Sequence, residues 1–255
     1  MKQLAKLFPL MLVFLGVIAC SKKDDNSSTG NTLDFNLCAV ETQLFPDGSK
    51  KMFTYTEAKT VSKILLYDDV GTEPYDELTY TYTGSTVTFT NKSGREKGTV
   101  TLGTNGLASG KSITYFQAQD PTQATSNTSE SYEYDANNKL TKKSITSSSP
   151  GGSFSAQYTY VWSNGNIVKI ITTGSGTPVV TDSIAYDLLR TNPLSSFDNS
   201  VKFTGYGTKN LPVKVYELNT GSIKETIAYD INTEAKSINY STNGMLQITY
   251  LFKCP

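Results

Sequence analysis

The side chains that could do chemistry in this chain are carboxylates, phenols and amines, because its 255 residues include no histidine. That composition removes His-dependent triads, the usual imidazole base and most zinc sites. Paired carboxylates are the remaining catalytic option, since glycoside hydrolysis needs one acid and one base or nucleophile. Asp68, Asp69, Asp76, Glu77, Asp135, Asp187 and Asp230 are the candidates. Most of them follow a tyrosine or sit at a strand end, where Asp accepts bonds from its own backbone and holds a turn. The expectation is therefore a protein that is not an enzyme, with a His-free carboxylate hydrolase as an alternative. No glycine-rich phosphate loop occurs, and Asp230-Ile-Asn232-Thr-Glu234 lacks the Gly and distal Glu of a calcium loop. No cofactor and no metal site are expected.

Aromatic residues offer the other chemistry, which is contact with a ligand. Tyr80 and Tyr82, Tyr132 and Tyr134, and Tyr158, Tyr160 and Trp162 recur at alternate positions, so each set shares one face of a strand. Such a face could stack sugar rings, or it could hold a sheet together through cross-strand pairs worth roughly 0.2–1 kcal/mol each. Trp162, the single tryptophan, with Tyr158 and Tyr160, is the leading candidate for ligand contact.

The elements that carry these residues are β-hairpins. In Tyr158–Ile171 an aromatic strand runs into Asn164-Gly165, a pair suited to the positive φ of a type I′ turn, and returns through Ile167, Lys169 and Ile171. Looser copies follow Tyr132, Ile227 and Ile238, with a shortened one at Val100. Turn signals at Asp47-Gly48, Gly84-Ser85, Asn105-Gly106, Thr220-Gly221 and Asn243-Gly244 divide the rest into short Thr-, Tyr- and Val-rich strands. The fold expected for 33–255 is all-β: one large, strongly curved antiparallel sheet or barrel-like meander of repeated hairpins. Its hydroxyl-rich faces favour a soluble domain over a lipid-facing band. Asn192-Pro193-Leu194-Ser195-Ser196-Phe197 reads as a single capped helical turn that covers one end of the sheet. Asp120 to Glu130 reads as a mobile loop.

The N-terminus carries an address. Lys2 and Lys6 precede an apolar stretch from Leu7 to Ile18, and Val17-Ile18-Ala19-Cys20 closes it. This resembles the lipobox of bacterial lipoproteins, with Val17 and Ile18 departing from its usual Leu and small residue. The resemblance implies a signal peptide over 1–19, acylation of Cys20 with palmitate-like chains, and membrane attachment through that lipid. The polar run over 20–32 cannot bury apolar surface and reads as a flexible tether. Lys23-Asp24-Asp25 is similar to the surface-export signal of Bacteroidetes lipoproteins, which implies an outer-membrane anchor and display at the cell surface. Without the two signal lysines the chain is close to neutral, so no basic field attracts nucleic acid. With Cys20 lipidated, Cys38 and Cys254 remain as an even pair in an oxidising compartment, and a disulfide between them would tie the two ends of the domain together.

The alternating YEYD and YTYVWSNGNIVKI units, followed by Asp182–Arg190, Asn192-Pro193 and Lys209-Asn210-Leu211-Pro212, resemble a Bacteroidetes lipoprotein family of YD-type hairpin repeats. It is catalogued as a domain of unknown function with a porin-like fold. The resemblance implies a curved sheet or barrel and brings no active site. The functional expectation is an outer-membrane lipoprotein, facing the cell surface or the periplasm, that binds a glycan or an envelope protein. The alternative is a structural or accessory subunit of an envelope complex that joins its partner through an exposed edge strand.

Overall fold

Asn164 and Gly165 both have positive φ, 50° and 81°, and Asn243-Gly244 repeats the geometry at 50° and 80°. These two-residue turns twist the chain so that each strand folds back on its predecessor. Repeated along the chain, the device produces a barrel. The computed structural model describes residues 35–255 apart from 118–119, 121, 176, 196, 198–202 and 206. The signal peptide over 1–19, Cys20 and the tether over 20–32 lie outside the described residues.

A 3-10 turn at Phe35–Leu37 leads into β1 (Ala39–Leu44), β2 (Lys50–Tyr55), β3 (Val61–Tyr67), β4 (Asp76–Thr83), β5 (Thr86–Asn91), β6 (Glu96–Leu102), β7 (Ala108–Phe116) and β8 (Ala124–Tyr134). The second half comprises β9 (Leu140–Ser149), β10 (Gly152–Ser163), β11 (Asn166–Gly174), β12 (Thr177–Thr191), β13 (Asn210–Glu217), β14 (Ser222–Asn232), β15 (Ser237–Thr242) and β16 (Met245–Lys253). Each strand pairs antiparallel with its sequence neighbours, and β1 closes on β16 through Val40↔Phe252 and Leu44↔Thr249. Closure leaves no strand edge, so an edge-strand route to a partner is not available. The chain enters and leaves the barrel at one end, here the near end. The turns after β1, β3, β5 and every later odd-numbered strand lie at the far end.

Side chains alternate between two faces that differ in chemistry. The inner face carries Val40, Phe53, Ile64, Val87, Phe89, Val100, Leu140 and Ile238, all buried. The outer face of β4 to β6 carries Thr79, Thr81, Thr88, Thr90, Lys97 and Thr99. Ion pairs Lys63–Glu77 (2.9 Å) and Lys142–Glu133 (3.1 Å) lie on the same wall. A barrel that faces lipid shows an apolar band outward and a polar interior. On β4 to β6 the outer face carries hydroxyl and charged side chains instead.

Two buried clusters occupy the interior. One buried cluster joins Phe35, Val40, Phe53, Val61 and Phe252, and a second joins Val87, Val100, Tyr132, Leu140 and Ile167. The long β12–β13 connection feeds both, with Leu194 and Phe197 in the first and Phe203 in the second. Asn192 starts that connection as a cap, its side-chain oxygen accepting from the Leu194 N–H at 3.0 Å ahead of a helical turn at Ser195 and Phe197. The segment then folds so tightly on itself that a Cβ on Gly207 would sit 2.7 Å from the Ser195 carbonyl oxygen. The expected helical turn is present, and it enters the core.

Asp120 to Glu130 departs from expectation, because β8 begins at Ala124 and runs through most of it. Its Ser and Thr residues lack a hydrophobic alternation, but they suit a strand flanked on both sides, and β7 and β9 supply the partners.

Candidate functional site

Tyr158, Tyr160 and Trp162 sit together on the inner face of β10. Tyr160 is buried, and Trp162 packs against the second core with its indole N–H donating to the Leu140 carbonyl at 2.7 Å. The Lys139 ammonium lies 4.8 Å from the centre of the Trp162 ring. This geometry recurs along the barrel. The Tyr55 hydroxyl donates to the Val40 carbonyl (2.6 Å), Tyr82 to Val61 (2.6 Å), Tyr134 to Ala108 (2.7 Å) and Tyr186 to Ile167 (2.7 Å). In each case an aromatic near the near-end tip of an even-numbered strand satisfies a carbonyl at the start of the preceding strand. All five acceptor residues are buried, so each bond answers a backbone group that water cannot reach. One member of each alternating set, Tyr82, Tyr134 and Trp162, thus joins Tyr55 and Tyr186 in a repeated closing device for the near end.

Further toward the far end the interior becomes charged. Lys111 and Glu130 are cross-strand partners, as are Tyr132 and Lys143. The Glu130 carboxylate accepts from the Lys143 ammonium at 2.8 Å and from the Tyr132 hydroxyl. Burial alone would raise the Glu130 carboxyl, but these two bonds and the nearby ammoniums outweigh it and hold the group below the ordinary carboxylate value. The Lys111 ammonium lies 5.5 Å from the centre of the Phe89 ring, and burial lowers its pKa. Burial likewise raises the pKa of Glu96.

The candidate carboxylates are mostly committed to local structure. Asp68 accepts from the Gly71 N–H (2.6 Å), and Asp135 from Asn137 and Lys139 (2.9 and 2.8 Å). Asp187 pairs with Arg190 at 2.6 Å, and Glu77 with Lys63. Asp76 accepts from the Asn91 amide at 2.7 Å. Burial opposes ionisation of Asp76, yet bonds from Glu77, Ser93 and Asn91 leave its pKa lowered. The Asp76 charge adds to the burial that raises the pKa of Glu96, so these two carboxyls are moved in opposite directions. Asp230 accepts from the Asn239 amide at 3.4 Å and joins no such pair. Among the described residues, no three His, Cys, Asp or Glu side chains are grouped to hold a metal ion.

Each end of the barrel carries a surface feature: the far-end rim was not read from the sequence, and the near-end disulfide is the one expected. At the far end, exposed apolar side chains stand around the rim: Val70, Tyr75, Phe154, Val179, Leu218, Ile223 and Met245. Val70 is 84% exposed, and Tyr75 and Met245 are each 65% exposed. The sequence signal was present as apolar residues placed beside the turns after β3, β9, β11, β13 and β15, where polar ones are usual. At the near end, Cys38 and Cys254 form a disulfide across 216 residues, with the Cα atoms 4.2 Å apart. The bridge forms part of the wall of a cavity of about 320 Å³ that also includes Val40, Tyr55, Pro193, Phe197 and Phe252.

No family model matches this chain, and no curated protein matches it. Solved structures do. A porin-like protein from Bacteroides uniformis ATCC 8492 superposes with a TM-score of 0.56 at 14% identity, covering 85% of this chain and 98% of its own. A porin-like protein from Bacteroides vulgatus ATCC 8482 gives 0.55 at 13% identity, covering 86% and 99%. At that identity the likeness is one of fold: this chain has the all-β barrel architecture of those two proteins over almost their whole length.

Proposed function

We propose that this protein is a lipid-anchored component of the outer membrane, displayed at the cell surface, whose barrel is a non-catalytic docking body for another envelope protein. The Val17–Cys20 lipobox and the Lys23-Asp24-Asp25 run support the anchor and its export. The observation that carries the docking role is the far-end rim. Large apolar side chains left in water around the far-end mouth form a surface that a protein partner would cover, and Leu37, Leu188 and Leu189 are exposed apolar residues toward the near end. An interior occupied by two buried clusters argues against a conducting pore. A glycan is less favoured, since Trp162, Tyr158 and Tyr160 belong to the inner wall, and the Trp162 N–H is already bonded.

The test is site-specific photocrosslinking in cells, with the photoreactive residue at Tyr75 or Leu218 on the rim and at Leu189 near the other end. One stoichiometric adduct from both rim positions and none from Leu189 is the expected result. No adduct from the rim, together with glycan-array binding lost in Trp162→Ala, would replace this reading with the glycan one. Protease shaving of intact and permeabilised cells tests the surface placement separately.

A further inference from the structure

We propose that the near-end cavity binds a single-chain anionic amphiphile, with the acyl chain inside the cavity and the anionic head on Lys59 and Lys253. This inference is independent of the docking role, which concerns the opposite end of the barrel.

The cavity, at about 320 Å³, falls within the usual range for small-molecule sites. Its walls supply Val40, Tyr55, Phe197 and Phe252 together with the disulfide, which is a surface suited to methylenes. The Tyr55 hydroxyl already donates its proton to the Val40 carbonyl, so it has none to offer an anionic head. That leaves the ammoniums of Lys59 and Lys253, both on exposed residues, to act on a head group.

Lys59 and Lys253 carry the charged side chains among the residues that line the cavity. Among the described residues, no side-chain carboxylate lies within ion-pair distance of Lys59 or Lys253, including Glu57 in the same turn as Lys59. Lysines at the edge of apolar surface ordinarily keep their ammoniums in water. Two of them flanking one apolar cavity favour a carboxylate or phosphate head over a neutral or cationic one. Lys59 is also held in place by its backbone, which has a positive φ of 60° and donates to the Thr56 carbonyl at 2.9 Å.

The experiment is calorimetric titration of the purified protein with laurate below its micelle concentration, alongside dodecyltrimethylammonium and phosphatidylglycerol vesicles. Expected is one laurate per chain and no uptake of the cationic analogue. Lys59→Ala combined with Lys253→Ala should weaken binding about tenfold or more while leaving the melting temperature unchanged. Absence of laurate binding would overturn the proposal, as would equal binding of the cationic amphiphile. Binding to the vesicles alone would assign the lysines to a membrane surface and overturn it as well.

Discussion

The Trp162 indole donates its N–H to the carbonyl of Leu140, a residue only 1% exposed, and so ties the end of β10 to the start of β9. Four tyrosines do the same elsewhere in the barrel, which makes this bond one instance of a rule rather than a local accident. Trp162→Phe keeps most of the ring and removes the donor. An unanswered buried carbonyl costs about 1–3 kcal/mol, and urea denaturation should show a loss of that size. Val161→Ala, on the outer wall and 42% exposed, should stay within about 0.5 kcal/mol of wild type. Equal stability of the two variants would remove the structural role assigned to Trp162.

The disulfide lies beside the β1–β16 seam, where the barrel closes. The chain-entropy estimate for a loop of this length is about 5 kcal/mol, and removal of native bridges commonly costs about 2–5 kcal/mol. Replacing Cys38 and Cys254 together with Ser should lower unfolding stability by an amount in that range. Nonreducing peptide mapping of the parent protein should recover the two cysteines as one linked pair.

Glu96 provides a pH test whose sign follows from its environment. Its carboxyl pKa is raised, first by burial and further by Asp76, so the folded state favours the neutral form. The stability this contributes is present below the unfolded carboxylate pKa and is lost as pH rises through the folded value. Glu96→Gln should therefore raise the melting temperature at pH 7, and the gain should vanish in acid, where the parent side chain is also neutral. A gain that persists unchanged at low pH would point to packing instead.

Glu130 has the opposite sign. Its depressed pKa contributes stability above the unfolded carboxylate value that is lost as pH falls through the folded one. Lys143→Met removes the ammonium that outweighs burial at that carboxylate. Its destabilisation should be large at neutral pH and should shrink in acid. A pH-independent loss would mean that the ion pair contributes nothing beyond its apolar stem.

The buried tyrosines set an alkaline limit. Burial raises Tyr80 and Tyr134 to about 12 and pushes Tyr55 and Tyr132 higher still. Because these phenols stay neutral in the fold and ionise once unfolded, stability should fall as pH climbs above about 10. Ultraviolet titration should show part of the phenolate signal arriving only with unfolding. A complete, reversible titration near pH 10 in the folded protein would contradict the arrangement.

By itself the sequence determined the features that obey local rules. Asn164-Gly165 and Asn243-Gly244 require positive φ and adopt it, period-two alternation marks the strands, and Asn192-Pro193 starts a helical turn because one residue caps it and the other has its φ preset. Cys38 and Cys254 were legible as a pair by counting. Tertiary structure decided what depends on the neighbours a strand acquires. The Ser- and Thr-rich start of β8 became strand because β7 and β9 flank it, although its own residues show no apolar alternation. Trp162 took a buried carbonyl as its partner because β9 lies beside β10 in this register. Pairing of β1 with β16 removed the edge that a chain of hairpins would otherwise expose. It also gathered apolar residues from separate turns onto one rim and two lysines from opposite ends of the domain onto one cavity. Alternation separates two faces of a strand, but only closure decides which face is inside and which distant turns meet.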